Sequence, residues 1–239
     1  MKYSKKLFII LAVLILLSLT LKSSYLGKNN VNLNSQLQGN KDFVFQGRKL
    51  NIKNVRNIWY LQNNFGNYSG GHVLVTFEFL DGTLMTSSAN FTTNDEMVYN
   101  PILSLFDVYF LEFKFENEKD ALLRISNSDT KEVYRYKLSL TDEEKVRFLK
   151  NWIQYSEFTS DKSIYYNLLK RSCSTTFFEV LQSSLATKKI KADWSVKIPN
   201  FLDKKLYSED LLDCNSDNSI DDFQACRQNA KINPFVEQL

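Results

Sequence analysis

The chain has 239 residues, of which 44% are hydrophobic and 24% are charged, and its formal net charge is +3. These values are typical of a globular protein, and the length favours one large domain over two. The small charge, with lysines and arginines spread along the chain, excludes a strongly basic surface, so we expect no nucleic-acid partner.

The N-terminus carries a hydrophobic segment without charges, residues 7–21, flanked by Lys6 and Lys22. As a helix it would be about 22 Å long, shorter than a hydrocarbon core of about 30 Å. Flanking lysines can extend to the interface and cover part of the difference. A secretory signal has the same layout, but no A-x-A cleavage site follows the segment. Residues 1–22 are therefore interpreted as an uncleaved membrane anchor or as a cleaved signal, and both export the rest.

Three further regions follow the anchor. Residues 23–44 are polar and rich in Asn, Gln, Ser and Lys, which predicts a tether. Residues 45–239 form the predicted extracytoplasmic domain, with 186–239 as a C-terminal extension. In that extension we expect Cys214 and Cys226 to form a disulfide, as cysteines do in an oxidising compartment. The expected location is the periplasmic side of an inner membrane, or outside the cell if the signal is cleaved.

The middle of the chain predicts a mostly antiparallel sheet. Asp81-Gly82 lies between two β-rich segments, which is a strong hairpin signal. Strands are predicted within residues 49–61, 71–79, 83–91, 105–115, 121–126 and 132–140.

The second half of the chain predicts helices. Thr141 and Glu144 form a capping-box sequence before apolar residues at helical spacing. A further helix is predicted to start at or just before Cys173, and a short one near residues 206–212. The predicted class is α+β, an antiparallel sheet packed against helices.

Two residues stand out as a candidate catalytic pair. His72 is the single histidine, and Cys173 is the cysteine left over from the expected disulfide. A thiol at a helix N-terminus is stabilised as a thiolate by the helix dipole. A Cys and a His far apart in sequence but close in the fold are the usual thiol nucleophile arrangement. The alternative is that Cys173 is a buried small residue and His72 an ordinary histidine.

No metal site or cofactor is expected. The chain has no H-E-x-x-H, C-x-x-C, Walker A or G-x-G-x-x-G motif. Residues 213–224 have the spacing of a calcium-binding loop, but Asn218 replaces the required Gly and Gln224 the bidentate Glu.

Several segments resemble the Lnb N-terminal periplasmic domain family of bacterial envelope proteins. KLNIKNVRNIWYL at residue 49, GGHVLVTFEFLDGTLMTSS at residue 70 and YYNLLKRSCSTTF at residue 165 match successive blocks of the family. The last is similar to its cysteine motif, Y-N-x-x-x-N-N-C-T-T. Arg171-Ser172 stands where the family has the Asn pair, and Asn90 where some relatives have Glu.

The resemblance implies a papain-like (NlpC-type) fold in permuted order, with Cys173 as nucleophile and His72 as its base. We expect Ser88 or Asn90 to orient His72, because period-two alternation puts both on one strand face. Tyr166 and Asn167 are expected to line the cleft.

The implied activity is a thiol acyltransferase or hydrolase, most like lipoprotein N-acylation, with a membrane lipid or lipoprotein as substrate. The alternatives are a peptidoglycan amidase or endopeptidase and a non-catalytic envelope binding module. Apolar surface near Cys173 favours acyl transfer and a polar groove favours peptidoglycan, whereas a buried Cys173 far from His72 favours the binding module.

Overall fold

The computed structural model describes residues 42–65, 70–92, 100, 102–126, 130–162, 164–214 and 220–233. The hydrophobic segment at 7–21 and most of the predicted tether lie outside these residues. Among the described residues, no helix combines the length and the apolar character needed to cross a membrane.

Seven strands form one antiparallel sheet in the order β8-β6-β5-β4-β3-β7-β9, and a separate hairpin of β1 and β2 precedes it. The strands are β1 (Asp42–Phe45), β2 (Arg48–Asn51), β3 (Val55–Phe65), β4 (Gly71–Phe79), β5 (Leu84–Thr92), β6 (Tyr109–Asn117), β7 (Thr130–Lys137), β8 (Tyr165–Tyr166) and β9 (Lys231–Ile232). The mostly antiparallel sheet predicted from sequence is confirmed.

The β4–β5 hairpin forms where Asp81-Gly82 predicts it. Gly82 has a φ of +82°, which glycine adopts without the penalty of a Cβ. The Asp81 carboxylate accepts a hydrogen bond of 2.9 Å from the backbone N–H of Thr83. This turn fixes the register of β4 against β5.

In the part of the chain that the structure describes, five α-helices cover the two faces of the sheet. They are α1 (Glu118–Ser126), α2 (Asp142–Lys162), α3 (Cys173–Ser184), α4 (Pro199–Ser208) and α5 (Ile220–Ala230). Helix α1 packs on one face, where its Leu122 shares an apolar cluster with Leu74 of β4. Helices α2 and α3 pack on the other face, where Phe77 of β4 lies 5.9 Å from Phe148 of α2, and Tyr60 of β3 lies 5.0 Å from Phe177 of α3.

Residues 121–126 are helical, so the strand predicted there is wrong. They are the C-terminal part of α1. This helix starts at Glu118, directly after Asn117, the last residue of β6. Asn117 caps the helix by accepting a 2.8 Å hydrogen bond from the N–H of Asp120. Alanine and leucine favour helix, and a segment of six residues is too short for its pattern of apolar residues to distinguish a helix from a strand.

The C-terminal extension is also more helical than predicted. Helix α4 ends at Ser208, so it precedes most of the stretch predicted at 206–212. Its N-terminal Pro199 has the fixed φ that suits the first turn of a helix. Helix α5 lies inside the polar segment that was expected to be only a disulfide loop.

Candidate functional site

Cys173 is the first residue of α3. The preceding Ser172 is the N-cap, and its hydroxyl accepts a 3.4 Å hydrogen bond from the N–H of Thr175. The Thr175 hydroxyl in turn accepts a 2.7 Å hydrogen bond from the N–H of Ser172. These reciprocal bonds satisfy two donors of the first turn and fix the helix start at the cysteine.

The Cys173 thiol is buried among backbone donors. Its side chain is 4% exposed. Burial raises its pKa to about 11, although the backbone N–H groups of Val73, Ser174 and Cys173 itself lower it. Desolvation therefore outweighs the donors, and the group is a protonated thiol at neutral pH.

His72 lies near the start of β4 and is a neutral imidazole. Burial, reinforced by the charge of Arg124, lowers its pKa to about 4, while a hydrogen bond with Asn90 and the charge of Glu116 oppose that shift. Its Nε2 atom is buried and has no hydrogen-bond partner within the described part of the chain.

Ser88 and Asn90 belong to the surroundings of His72. The ladder pairs Val75 with Ser87, and the same register continued by three residues places His72 opposite Asn90. The Ser88 hydroxyl lies 3.0 Å from the Asn90 amide nitrogen. His72, Ser88 and Asn90 thus form one polar group on a single sheet face.

Helix α3, which starts at Cys173, and the His72 side chain lie on different faces of β4. Leu74 faces α1 and Phe77 faces α2. Because successive side chains alternate, His72 shares the face of Leu74, whereas Val73 shares the face covered by α2 and α3. The N–H of Val73 bonds to the Cys173 sulfur, but no hydrogen bond joins Cys173 to His72, both of which are described residues.

The strand end that carries His72 has few ladder partners. Pairing between β4 and β5 covers only residues 75–78 of β4. Pairing between β3 and β4 extends to Gly71. Residues 72–74 are therefore held from the β3 side, and the Cys173 sulfur lies against this segment.

Tyr166 and Asn167 build the turn that leads into Cys173. Tyr166 is buried and pairs with Tyr109. The Asn167 amide donates hydrogen bonds to the carbonyl of Leu105, at 3.1 Å, and to the carboxylate of Asp107, at 2.6 Å. These contacts give both residues a structural role, and their role in substrate binding stays a prediction.

A row of buried polar side chains on β3 was not predicted from the sequence. The Tyr60 hydroxyl donates to Gln62 Oε1 at 2.7 Å, and Gln62 Nε2 donates to Asn64 Oδ1 at 3.0 Å. Gln62 pairs with Val73, so the row runs beside the strand that Cys173 contacts. Its signal was present, because Tyr60, Gln62 and Asn64 recur at the two-residue period that places side chains on one strand face.

Cys214 and Cys226 form a disulfide with a Cα–Cα distance of 5.7 Å, which confirms the predicted pairing. The bond ties the segment before α5 to the helix itself. Residues 215–219, in the middle of the loop considered as a calcium site, lie outside the described residues.

Comparison with known proteins identifies a family. A sequence model of the Lnb N-terminal periplasmic domain matches residues 44–205. The match includes His72 and Cys173 and ends before the disulfide, and it confirms the resemblance seen in the sequence motifs. No curated protein and no solved structure matches the chain.

Proposed function

Because the chain belongs to the Lnb N-terminal periplasmic domain family, we propose that it acts outside the cytoplasm as an acyltransferase or hydrolase that uses Cys173 and His72. One observation carries the proposal. The single histidine and the single free cysteine of the chain are far apart in sequence, yet the cysteine sulfur contacts Val73, the residue that follows the histidine on β4.

The proposed reaction follows from the groups around the sulfur. His72 accepts the thiol proton, and the thiolate attacks the carbonyl carbon of an acyl ester. A C–S bond forms, the C–O bond breaks, and the leaving alcohol takes the proton from His72. An amine or water then attacks the thioester and releases the thiol. Backbone N–H groups of Val73, Cys173 and Ser174 converge on the sulfur and are the candidate donors for the oxyanion.

The described conformation is proposed to be a resting state. A thiol with a pKa of about 11 and an imidazole with a pKa of about 4 make proton transfer unfavourable by roughly 10 kcal/mol. Catalysis therefore requires the His72 ring to move to the α3 side of β4. Residues 72–74 have no ladder pairing with β5. A movement of the ring through this segment therefore breaks the fewest backbone hydrogen bonds between strands.

Two substrate classes fit this chemistry differently. Exposed apolar side chains surround the turn that precedes Cys173, among them Phe106 and Tyr165. Such a surface supports acyl chains of a lipid or lipoprotein as substrate more than the polar stems of peptidoglycan. Transfer to the α-amine of a lipoprotein, which the resemblance of the sequence motifs implies, is the form of the reaction we propose.

A non-catalytic envelope binding module is the second candidate. It is favoured by the placement of His72 and Cys173 on different faces and by the protonated state of the thiol. In this case Cys173 is a buried packing residue.

The two candidates are separated by acyl transfer in vitro. Purified full-length protein in mixed micelles is given phospholipid and a synthetic diacyl lipopeptide with a free α-amine, and mass spectrometry detects the N-acylated peptide and a thioester on Cys173. Cys173→Ala and His72→Gln should abolish the product, whereas the control Leu80→Ala, at an exposed turn, should not. Equal product from folded Cys173→Ala would refute the catalytic proposal, and no product from any folded variant would favour the binding module.

A further inference from the structure

An exposed apolar surface, here named the apolar platform, lies at the sheet end that holds Cys173. Its six members have exposed fractions between 37% and 68%. They are Ile102, Leu103, Phe106, Val108, Tyr165 and Leu169. Isolated exposed apolar residues are common, but a cluster of this kind marks an interaction surface.

Two loops are joined to make the platform continuous. The N–H of Leu168 donates a 3.0 Å hydrogen bond to the carbonyl of Ser104. The rings of Phe110 and Tyr165 stack at 5.0 Å where β6 pairs with β8. The segments 102–108 and 165–169 therefore present their apolar side chains on one supported surface.

The platform is connected directly to the segment that carries Cys173. The turn that carries Leu169 is closed by the N–H of Arg171, which donates a 2.8 Å hydrogen bond to the carbonyl of Asn167. Ser172 and Cys173 follow without a break as the cap and first residue of α3. Whatever covers the platform is thus held close to the thiol.

We infer that the apolar platform docks onto the outer surface of a phospholipid bilayer. Aliphatic and phenylalanine side chains with a tyrosine are the composition that inserts at the boundary of headgroups and acyl chains. Lys170, next to Leu169, is exposed, so its ammonium group can pair with an anionic headgroup. This deepens the proposed function, because it supplies acyl substrates at the thiol.

The length of chain before the domain is compatible with contact between the platform and a membrane. The β1–β2 hairpin lies near the opposite end of the sheet, where Phe43 is 6.0 Å from Phe79. Strand β4, which separates that end from His72, spans roughly 30 Å. A tether of about twenty residues has a mean reach of roughly 25 Å and a limit of roughly 70 Å. The length of chain that precedes the domain is therefore compatible with contact between the platform and a bilayer.

The test places a tryptophan in the platform and measures its depth in lipid. Full-length Phe106→Trp is reconstituted into vesicles of phosphatidylethanolamine and phosphatidylglycerol, with and without bromine on the acyl chains. Leu80→Trp is the matched control, because Leu80 is also apolar and is even more exposed than Phe106, at the β4–β5 turn near the other end of the sheet. After subtraction of wild-type emission, we expect roughly twofold quenching at position 106 and little at position 80.

A charge in the platform completes the test. Ile102→Asp in the Phe106→Trp background should remove the quenching while far-UV circular dichroism stays unchanged. Absent quenching at position 106, or equal quenching at both positions, overturns the inference. Self-association through the platform, seen by analytical ultracentrifugation without lipid quenching, also overturns it. None of these readouts depends on Cys173 chemistry, so the docking surface and the proposed activity can fail separately.

Discussion

The sulfur of Cys173 accepts a hydrogen bond from the backbone N–H of Val73, the residue that follows His72. Peptide donors of this kind stabilise negative charge, either on a thiolate or on a carbonyl oxygen attacked by it. Burial opposes them at the sulfur, and burial also keeps the imidazole neutral. Both groups of the proposed pair are therefore uncharged in the described conformation, and each charge state can be measured.

The pKa of His72 can be measured directly because the chain has one histidine. We expect the Cε1 proton of wild-type protein to titrate in NMR with a pKa of about 4, well below the ordinary 6.5. Asn90→Ala should lower the pKa further, since the hydrogen bond to Asn90 favours the protonated ring. A measured value above 6.5 would contradict the resting state and indicate an ion pair with a Cys173 thiolate.

The same depressed pKa predicts how stability depends on pH. Between pH 6.5 and pH 4 the unfolded chain binds a proton at His72 that the folded chain does not, so stability falls as the pH is lowered through this window. The upper bound is roughly 3 kcal/mol, the free energy that corresponds to a pKa lowered from 6.5 to about 4. Urea unfolding of wild type at pH 7 and pH 5 should show the loss, and His72→Gln should show less of it. Identical pH dependence in both proteins would count against the depressed pKa.

Cys173 should react slowly with alkylating reagents. The thiol pKa of about 11 lies above the ordinary 9.0, which makes the thiolate about 100-fold scarcer at neutral pH. Mass spectrometry should show iodoacetamide labelling at least about 100-fold slower in the native protein than in urea, with the disulfide left intact. Cys173→Ser, which should remain unlabelled, is the control for the site. Rapid native labelling with a midpoint below pH 7 would show an activated thiolate instead.

Local sequence signals predicted the elements that carry the site. The Asp81-Gly82 turn between two β-rich segments predicted β4 and β5. The capping box at Thr141 predicted the start of α2. Ser172 and Thr175 cap α3 with hydrogen bonds that depend on neighbouring residues only. Such signals are readable because the interaction that ends an element is local.

The relation between His72 and Cys173 depended on tertiary packing. Val73, Leu74 and Val75 are all buried, because helices cover both faces of the sheet at β4. When both faces of a strand are apolar, the sequence does not show which face a given helix covers. The side of β4 against which α3 packs could therefore not be predicted. The alternation of side chains along β5 correctly placed Ser88 and Asn90 on one face of the sheet. The register of β4 against β5 shows that His72 lies on the same face.

Gly71 should tolerate no larger residue. A Cβ at this position would overlap Oδ1 of Asn200 and lie 3.0 Å from both the Asn63 carbonyl oxygen and Cβ of Pro199. We expect Gly71→Ala to destabilise the fold by about 1–3 kcal/mol in urea unfolding, because α4 is packed against the strand. Asn200→Ala alone is the control, and the double variant should recover part of the loss. If Gly71→Ala left the free energy of unfolding unchanged, α4 would be able to move away from β4 without loss of stability.

Asp203 of α4 should hold α5 against the domain through Arg227. Its carboxylate is 1% exposed, lies 3.7 Å from Arg227 Nε and accepts a 3.1 Å hydrogen bond from the Tyr136 hydroxyl. Burial raises the pKa of Asp203, while Arg227 and Tyr136 favour its ionised form.

Removing this charge leaves the Arg227 guanidinium, which also lies 4.6 Å from the Tyr134 ring, without its anion. Asp203→Asn keeps the shape and an acceptor for Tyr136, so we expect a loss of about 3 kcal/mol that arises from the unpaired cation. Arg227→Gln in the Asp203→Asn background should recover part of this loss of stability. Urea unfolding of wild type, the two single variants and the double variant gives the coupling energy as a double-mutant cycle. Hydrogen exchange should rise first in α5, because Arg227 belongs to that helix. A coupling energy within experimental error of zero, with α5 still protected in Asp203→Asn, would show that the disulfide and the pairing of β9 with β7 hold this helix without the ion pair.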